Sequence, residues 1–142
     1  PDYDRETQSH TELIGIAGGG GMGKKRSWLV TSITGLLAVA FLIAGIPKLS
    51  GAQGMAENFE HFGLSVSFMR FIGVSEVAGA VGLFLPRLAP LAAGGLAVIV
   101  AGAAVLHLMH DPASQAIPAG VLTALCGFLA YRRRGDFLSL TD

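Results

Sequence analysis

Four apolar runs constrain this chain more than anything else in it: residues 28–46, 65–85, 88–108 and 115–131. Crossing the hydrocarbon core of a bilayer takes about 20 mostly apolar residues, with a range of about 17–25. All four runs qualify, the last at the short end. Backbone N–H and C=O groups in lipid find no water, so runs of this kind satisfy themselves as helices. The sequence therefore reads as an all-α integral membrane protein, a four-transmembrane-helix bundle with a polar N-terminal cytoplasmic tail. The expected spans are 28–47, 65–85, 88–109 and 115–133. Residues 1–27 form a polar, Gly-rich extension or linker, 28–133 the membrane domain, and 134–142 a short cytoplasmic C-terminal tail. The first run begins as late as Trp28 and is long for the apolar region of a signal peptide, about 7–15 residues.

Composition excludes the competing classes. Only 14% of residues are charged, against about 25% in an ordinary soluble domain. A disordered chain needs the opposite balance. Lys+Arg and Asp+Glu are equal at 10 each, so no net positive field exists to hold nucleic acid. One cysteine excludes an internal disulfide, a CxxC centre and a four-cysteine metal site. That residue, Cys126, lies inside the fourth run and reads as inert packing. GGGGMGKK at 18–25 mimics a phosphate-binding loop, but Lys25 stands where a Ser or Thr would hold magnesium, and no α/β domain follows.

Loop cations set the orientation. With four spans, the termini share a side with the 86–87 turn. That side carries Arg5, Lys24, Lys25, Arg26, Arg87, Arg132, Arg133 and Arg134, eight in all, against Lys48 and Arg70 on the other. The expectation is a multi-pass protein of the cytoplasmic membrane with both termini cytoplasmic. The 47–64 loop then lies outside. Within it, Met55, Phe59 and Phe62 are spaced four and three apart, with Glu57, Glu60 and His61 around the other side, which predicts a short amphipathic surface helix.

Residues 1–21 are open to three readings: a native extension, a piece of a neighbouring protein, or a cloning remnant, Met22 being a plausible start. Gly18–Gly21 reads as a flexible joint. Leu13, Ile14 and Ile16 are the aliphatic anchors by which the tail would dock on another subunit.

Polar residues inside the runs are the candidate site. Glu76 lies near the middle of the second run, where a carboxylate costs about 2.5–3.5 kcal/mol even on insertion scales. Ile72, Gly73, Gly79 and Ala80 share its face, so it should point into the bundle, as a proton or ligand group or as a polar pin between helices. Arg70, six residues earlier, falls on another face and snorkels outward. Pro47 stops the first helix, leaving Lys48 to turn either inward to Glu76 or outward to lipid headgroups. His107 and His110, three apart at the end of the third run, share one side with Asp111 nearby. Proton or quinone contact, metal binding and a structural interfacial role are the alternatives there. Haem needs axial ligands from opposite sides, and no other run carries a histidine. Ala78 with Gly82, and Ala93, Ala97 and Ala101, form small-residue faces that join helices.

LLAVAFLIAGIPKLSG at 36–51, SEVAGAVGLFLPRLAP at 75–90 and AVLH at 104–107 resemble, in order and spacing, the helix signatures of the DoxX-like membrane proteins. The resemblance covers about residues 32–131. It implies a four-helix bundle in the cytoplasmic membrane and association with quinone-linked oxidation, one known role being a small subunit of a thiosulfate–quinone oxidoreductase. The family's recurrent lysine, glutamate and histidine correspond here to Lys48, Glu76 and His107. By that resemblance the three should converge in the outer half of the bundle, with quinone as the possible ligand and other membrane subunits as partners. No motif binds a resident cofactor, and no reaction is specified. A silent assembly subunit and a small proton-coupled transporter are the alternative functions.

Overall fold

The computed structural model describes the backbone of residues 3–138 and the side-chain surroundings of residues 27–135. Among these residues all regular structure is helical. The order is α1 (Tyr3–Ser50), α2 (Gln53–His61), α3 (Val66–Gly82), α4 (Ala89–His110), a single 3-10 turn (Ala113–Gln115) and α5 (Ala116–Leu138). Three segments are long and apolar enough to cross a membrane: Ser27–Ser50, Ala89–His110 and Ala113–Gly135. A fourth arises if α2 and α3, bent by 113° at their junction, count as one. The 17 residues of α3 reach about 25 Å at 1.5 Å each, somewhat short of the hydrocarbon thickness.

The chain divides into two units, Pro1–Ser32 and Ile33–Asp142. The helix α1 starts at Tyr3 and runs through Gly18–Gly21. The glycine run read as a joint is thus helical, because glycine permits a bend without imposing one. The anchors Leu13, Ile14 and Ile16 lie outside the residues whose side chains are described.

Each long helix of the second unit buries one stripe. On α3 it is Met69, Gly73, Glu76 and Ala80; on α4 it is Ala89, Ala93, Leu96 and Val100. Both follow the four-then-three spacing of a helical seam. The α1 stripe is Thr34, Leu37, Ala38, Phe41 and Gly45. Cys126 and Leu129 complete the core from α5, Cys126 as the packing residue expected. Leu36, Ile43, Phe71, Phe84 and Val98 are more than half exposed, as lipid-facing side chains of a membrane helix are. The helical hydroxyls of Thr31, Ser75 and Thr123 each donate to the carbonyl four residues back, so none is left unpaired in an apolar setting.

Helix ends follow local chemistry. Pro47 does not stop α1, which continues to Ser50. Proline at this point removes one ladder donor close to the end, and glycine provides the actual stop. Gly51, at φ 76, lets its own N–H reach the Lys48 carbonyl while Ala52 N–H reaches that of Pro47, the paired closure that a left-handed residue permits. Gly63, at φ 72, ends α2 the same way, through the carbonyls of Glu60 and Phe59. The expected amphipathic helix is thus α2, with Met55 and Phe59 half-buried and Glu57 and Glu60 exposed. Ser65 caps α3, its hydroxyl oxygen accepting from the Phe68 N–H.

Candidate functional site

Two polar centres sit in the second unit. The first lies where α1 crosses α3. Gly45 and Gly73 face each other there. A Cβ on Gly73 would come within 2.6 Å of the Leu49 nitrogen and 2.9 Å of the Gly45 carbonyl oxygen. A Cβ on Gly45 would meet the Glu76 Cβ at 3.0 Å. Only hydrogen fits on either side, so the backbones approach as small-residue interfaces allow. That approach brings the last turn of α1 against the middle of α3. Lys48 Nζ donates to both carboxylate oxygens of Glu76, at 2.8 and 2.7 Å. Glu76 is 4% exposed. Of the two directions open to Lys48, the chain takes the inward one.

Arg70 is exposed, and its guanidinium lies over Gly51, with Nη2 3.1 Å from where a Cβ would stand. It approaches the C-terminal end of α1, where the last carbonyls and the helix dipole favour a cation. It does not join the ion pair.

The second centre is at the end of α4. His107 Nδ1 is 2.7 Å from Asp111 Oδ2, and His61 Nε2, from the end of α2, is 3.4 Å from Asp111 Oδ1. His110 Nδ1 is 3.0 Å from the Leu106 carbonyl oxygen. Phe62 sits among the imidazoles. Its ring centroid is 5.2 Å from that of His107, edge to face, and 5.5 Å from that of His110. The His107 hydrogen bond holds the Asp111 carboxyl below its usual range, outweighing the desolvation that opposes it. The bond of His107 goes to Asp111 rather than to the Lys48–Glu76 pair. Of the expected trio, Lys48 and Glu76 are brought together, and His107 is bonded elsewhere, to Asp111. Among the described residues no group of three or more His, Cys, Asp or Glu side chains is arranged to hold a metal ion.

Three features escape a reading by residue chemistry alone. Gly45 is as necessary as Gly73 for the crossing, and its place on the Thr34–Phe41 stripe was the available signal. Phe62, which its spacing assigns to the apolar side of the surface helix, stands just past the end of α2 among the histidine rings. Within the small-residue faces, Gly82 packs on Ala92 and Gly79 on Leu96, whereas Ala78 is exposed.

The profile of the DoxX-like family matches residues 32–129, which takes in both centres. No curated protein and no solved structure matches the chain.

Proposed function

Because the chain belongs to the DoxX-like family, we propose that it serves as the integral membrane subunit of a quinone-linked redox assembly, its Lys48–Glu76 pair forming a quinone and proton site. One observation carries this reading: an ammonium and a carboxylate held together on the buried stripe of two apolar helices. Ionisable groups in such a place are expensive, and they mark ligand or proton pathways more often than they stabilise a fold. The pair supplies what a quinone headgroup needs, a cationic N–H donor for a ring carbonyl and a carboxyl group able to pass a proton to a ring oxygen as the ring is reduced. His107, at the same end of the bundle, is the third group assigned to this site.

In this reading α3 makes the fourth membrane element with α2 lying on the outer surface, both termini are cytoplasmic, and the membrane is the cytoplasmic one. The basic side chains at the end of α5 suit that arrangement: Arg134 lies over Tyr131 and Arg132 over Phe128, an interfacial cation–aromatic pairing. Redox centres belong to a partner subunit.

A second reading is a catalytically silent subunit that positions or stabilises a larger complex. The closure of the pair on itself favours it, since Lys48 spends two hydrogen bonds on Glu76. The experiment separating the two uses the assembly purified in mild detergent with its associated polypeptides. Glu76→Gln should lower reduction of a short-chain benzoquinone at least tenfold, and Lys48→Met/Glu76→Met should restore assembly but not turnover. Unchanged turnover in Glu76→Gln would leave the pair as a pin between helices.

A further inference from the structure

The histidine cluster carries a consequence that the ion pair does not. An ionised carboxylate and a backbone carbonyl only accept hydrogen bonds, so each imidazole nitrogen facing one must carry the proton. Asp111 Oδ2 lies 2.7 Å from His107 Nδ1, and the Leu106 carbonyl oxygen lies 3.0 Å from His110 Nδ1. In its neutral form each ring is thereby fixed with hydrogen on Nδ1 and a lone pair on Nε2. His61 is held less closely, its Nε2 lying 3.4 Å from Asp111 Oδ1, an ion-pairing distance rather than a tight hydrogen bond. Of the two imidazoles on Asp111, His107 is the less exposed, with a side chain 29% accessible against 57% for His61.

We propose that Asp111 is a positioning residue that locks His107 in the Nδ1–H tautomer, so that His107 Nε2 is the proton acceptor at this end of the bundle. The proposal rests on the reading above only in giving that nitrogen a quinone–quinol couple with which to exchange the proton. The lock itself rests on geometry. Asp111 caps the C-terminal end of α4 four residues after His107, and the spacing puts carboxylate and imidazole on one face. Phe62 stands edge to face on His107 and hinders rotation of the ring. The carboxyl of Asp111 is held ionised, as an acceptor must be. When Nε2 takes a proton, the same carboxylate faces an imidazolium and stabilises it, which is how a carboxylate behind a histidine raises its usefulness as a base. Among the described residues, the other titratable side chains at this group are His61 from α2, which faces Asp111, and His110 from α4, whose ring meets that of His61.

The test is nitrogen NMR on the full chain labelled with 15N-histidine in nanodiscs, with the His107 resonances assigned by their loss in His107→Gln. At a pH where the ring is neutral, His107 should show a protonated Nδ1 and a bare Nε2. In Asp111→Ala the ring should move toward the Nε2–H form that a free imidazole favours. His61→Gln, which removes the tie to α2 but keeps the dyad, should leave the tautomer as in the parent chain. A neutral His107 protonated on Nε2, or a tautomer unchanged in Asp111→Ala, would overturn the proposal. Loss of the tautomer in His61→Gln would overturn it too, since the order would then come from α2. Turnover with quinone is read separately, so a locked tautomer in an assembly indifferent to Glu76→Gln would refute the quinone site and keep the dyad.

Discussion

Glu76 and Asp111 are both acidic, and their surroundings make them different instruments. Glu76 is met by one ammonium through both its oxygens, deep on a helical stripe. Asp111 is met by two imidazoles at a helix end. The sign of the pH dependence at Asp111 follows from its lowered value in the folded chain. A depressed carboxyl stabilises in full above its unfolded value, about 3.9, and the contribution is lost as pH falls through the folded value. Backbone amides of residues 53–62, tied to α4 through this carboxylate, should therefore keep their hydrogen-exchange protection down to about pH 4 and lose it below. In Asp111→Ala the protection should be lower at neutral pH and show no such acid step. Loss of protection in the parent chain between pH 8 and 6 would mean that something other than Asp111 holds α2. Glu76 was legible in the sequence because a carboxylate among apolar residues stands out, and Lys48 because it closes the first run. Their pairing was one of two outcomes, decided by a crossing angle that no single run encodes.

At the level of elements, the crossing of α1 on α3 decides where those side chains meet. Gly73→Ala would drive a methyl group into two backbone atoms, the Leu49 nitrogen and the Gly45 oxygen, neither of which yields without moving α1. Overpacking of this kind costs about 1–3 kcal/mol. The thermal midpoint of the detergent-solubilised chain should fall, and the Lys48–Glu76 pair should loosen with it. Gly102 lies on a helix with nothing within 4 Å of where a methyl group would stand, so Gly102→Ala should be neutral or gain up to about 1 kcal/mol. Equal losses in the two variants would deny the crossing its role. The four long helices and the short α2 follow from run length and from the three- and four-residue spacing of apolar positions. The end of α1 did not follow from Pro47, because a proline in the last turn costs one ladder bond, while a left-handed glycine four residues on closes the helix outright. The bend between α2 and α3 is likewise a matter of Gly63 and Ser65 acting together, one ending a helix and the other starting the next.

For the second unit as a whole, the contacts sort the polar groups by end. Arg133 Nη1 donates to the Leu83 carbonyl at 2.9 Å, which puts the C-terminal part of α5 beside the end of α3, where the turn carrying Arg87 also lies. Lys48, His61, His107 and Asp111 occupy the other end. Cations flanking a membrane helix are held back on the cytoplasmic side. The orientation proposed above puts Arg87, Arg132, Arg133 and Arg134 on the cytoplasmic side, with the α3–α4 turn and the end of α5, and the histidine cluster on the outer face. Single cysteines introduced at residue 52 or residue 135, in a chain with Cys126→Ala, test this in intact cells. A membrane-impermeant thiol reagent should label residue 52 and not residue 135. Cys126 is fully buried, so its replacement by a smaller apolar residue leaves the outer surface as it is. The reverse labelling would place Asp111 and His107 against the cytoplasm, and protons taken up by His107 would then come from the inner compartment rather than the outer one.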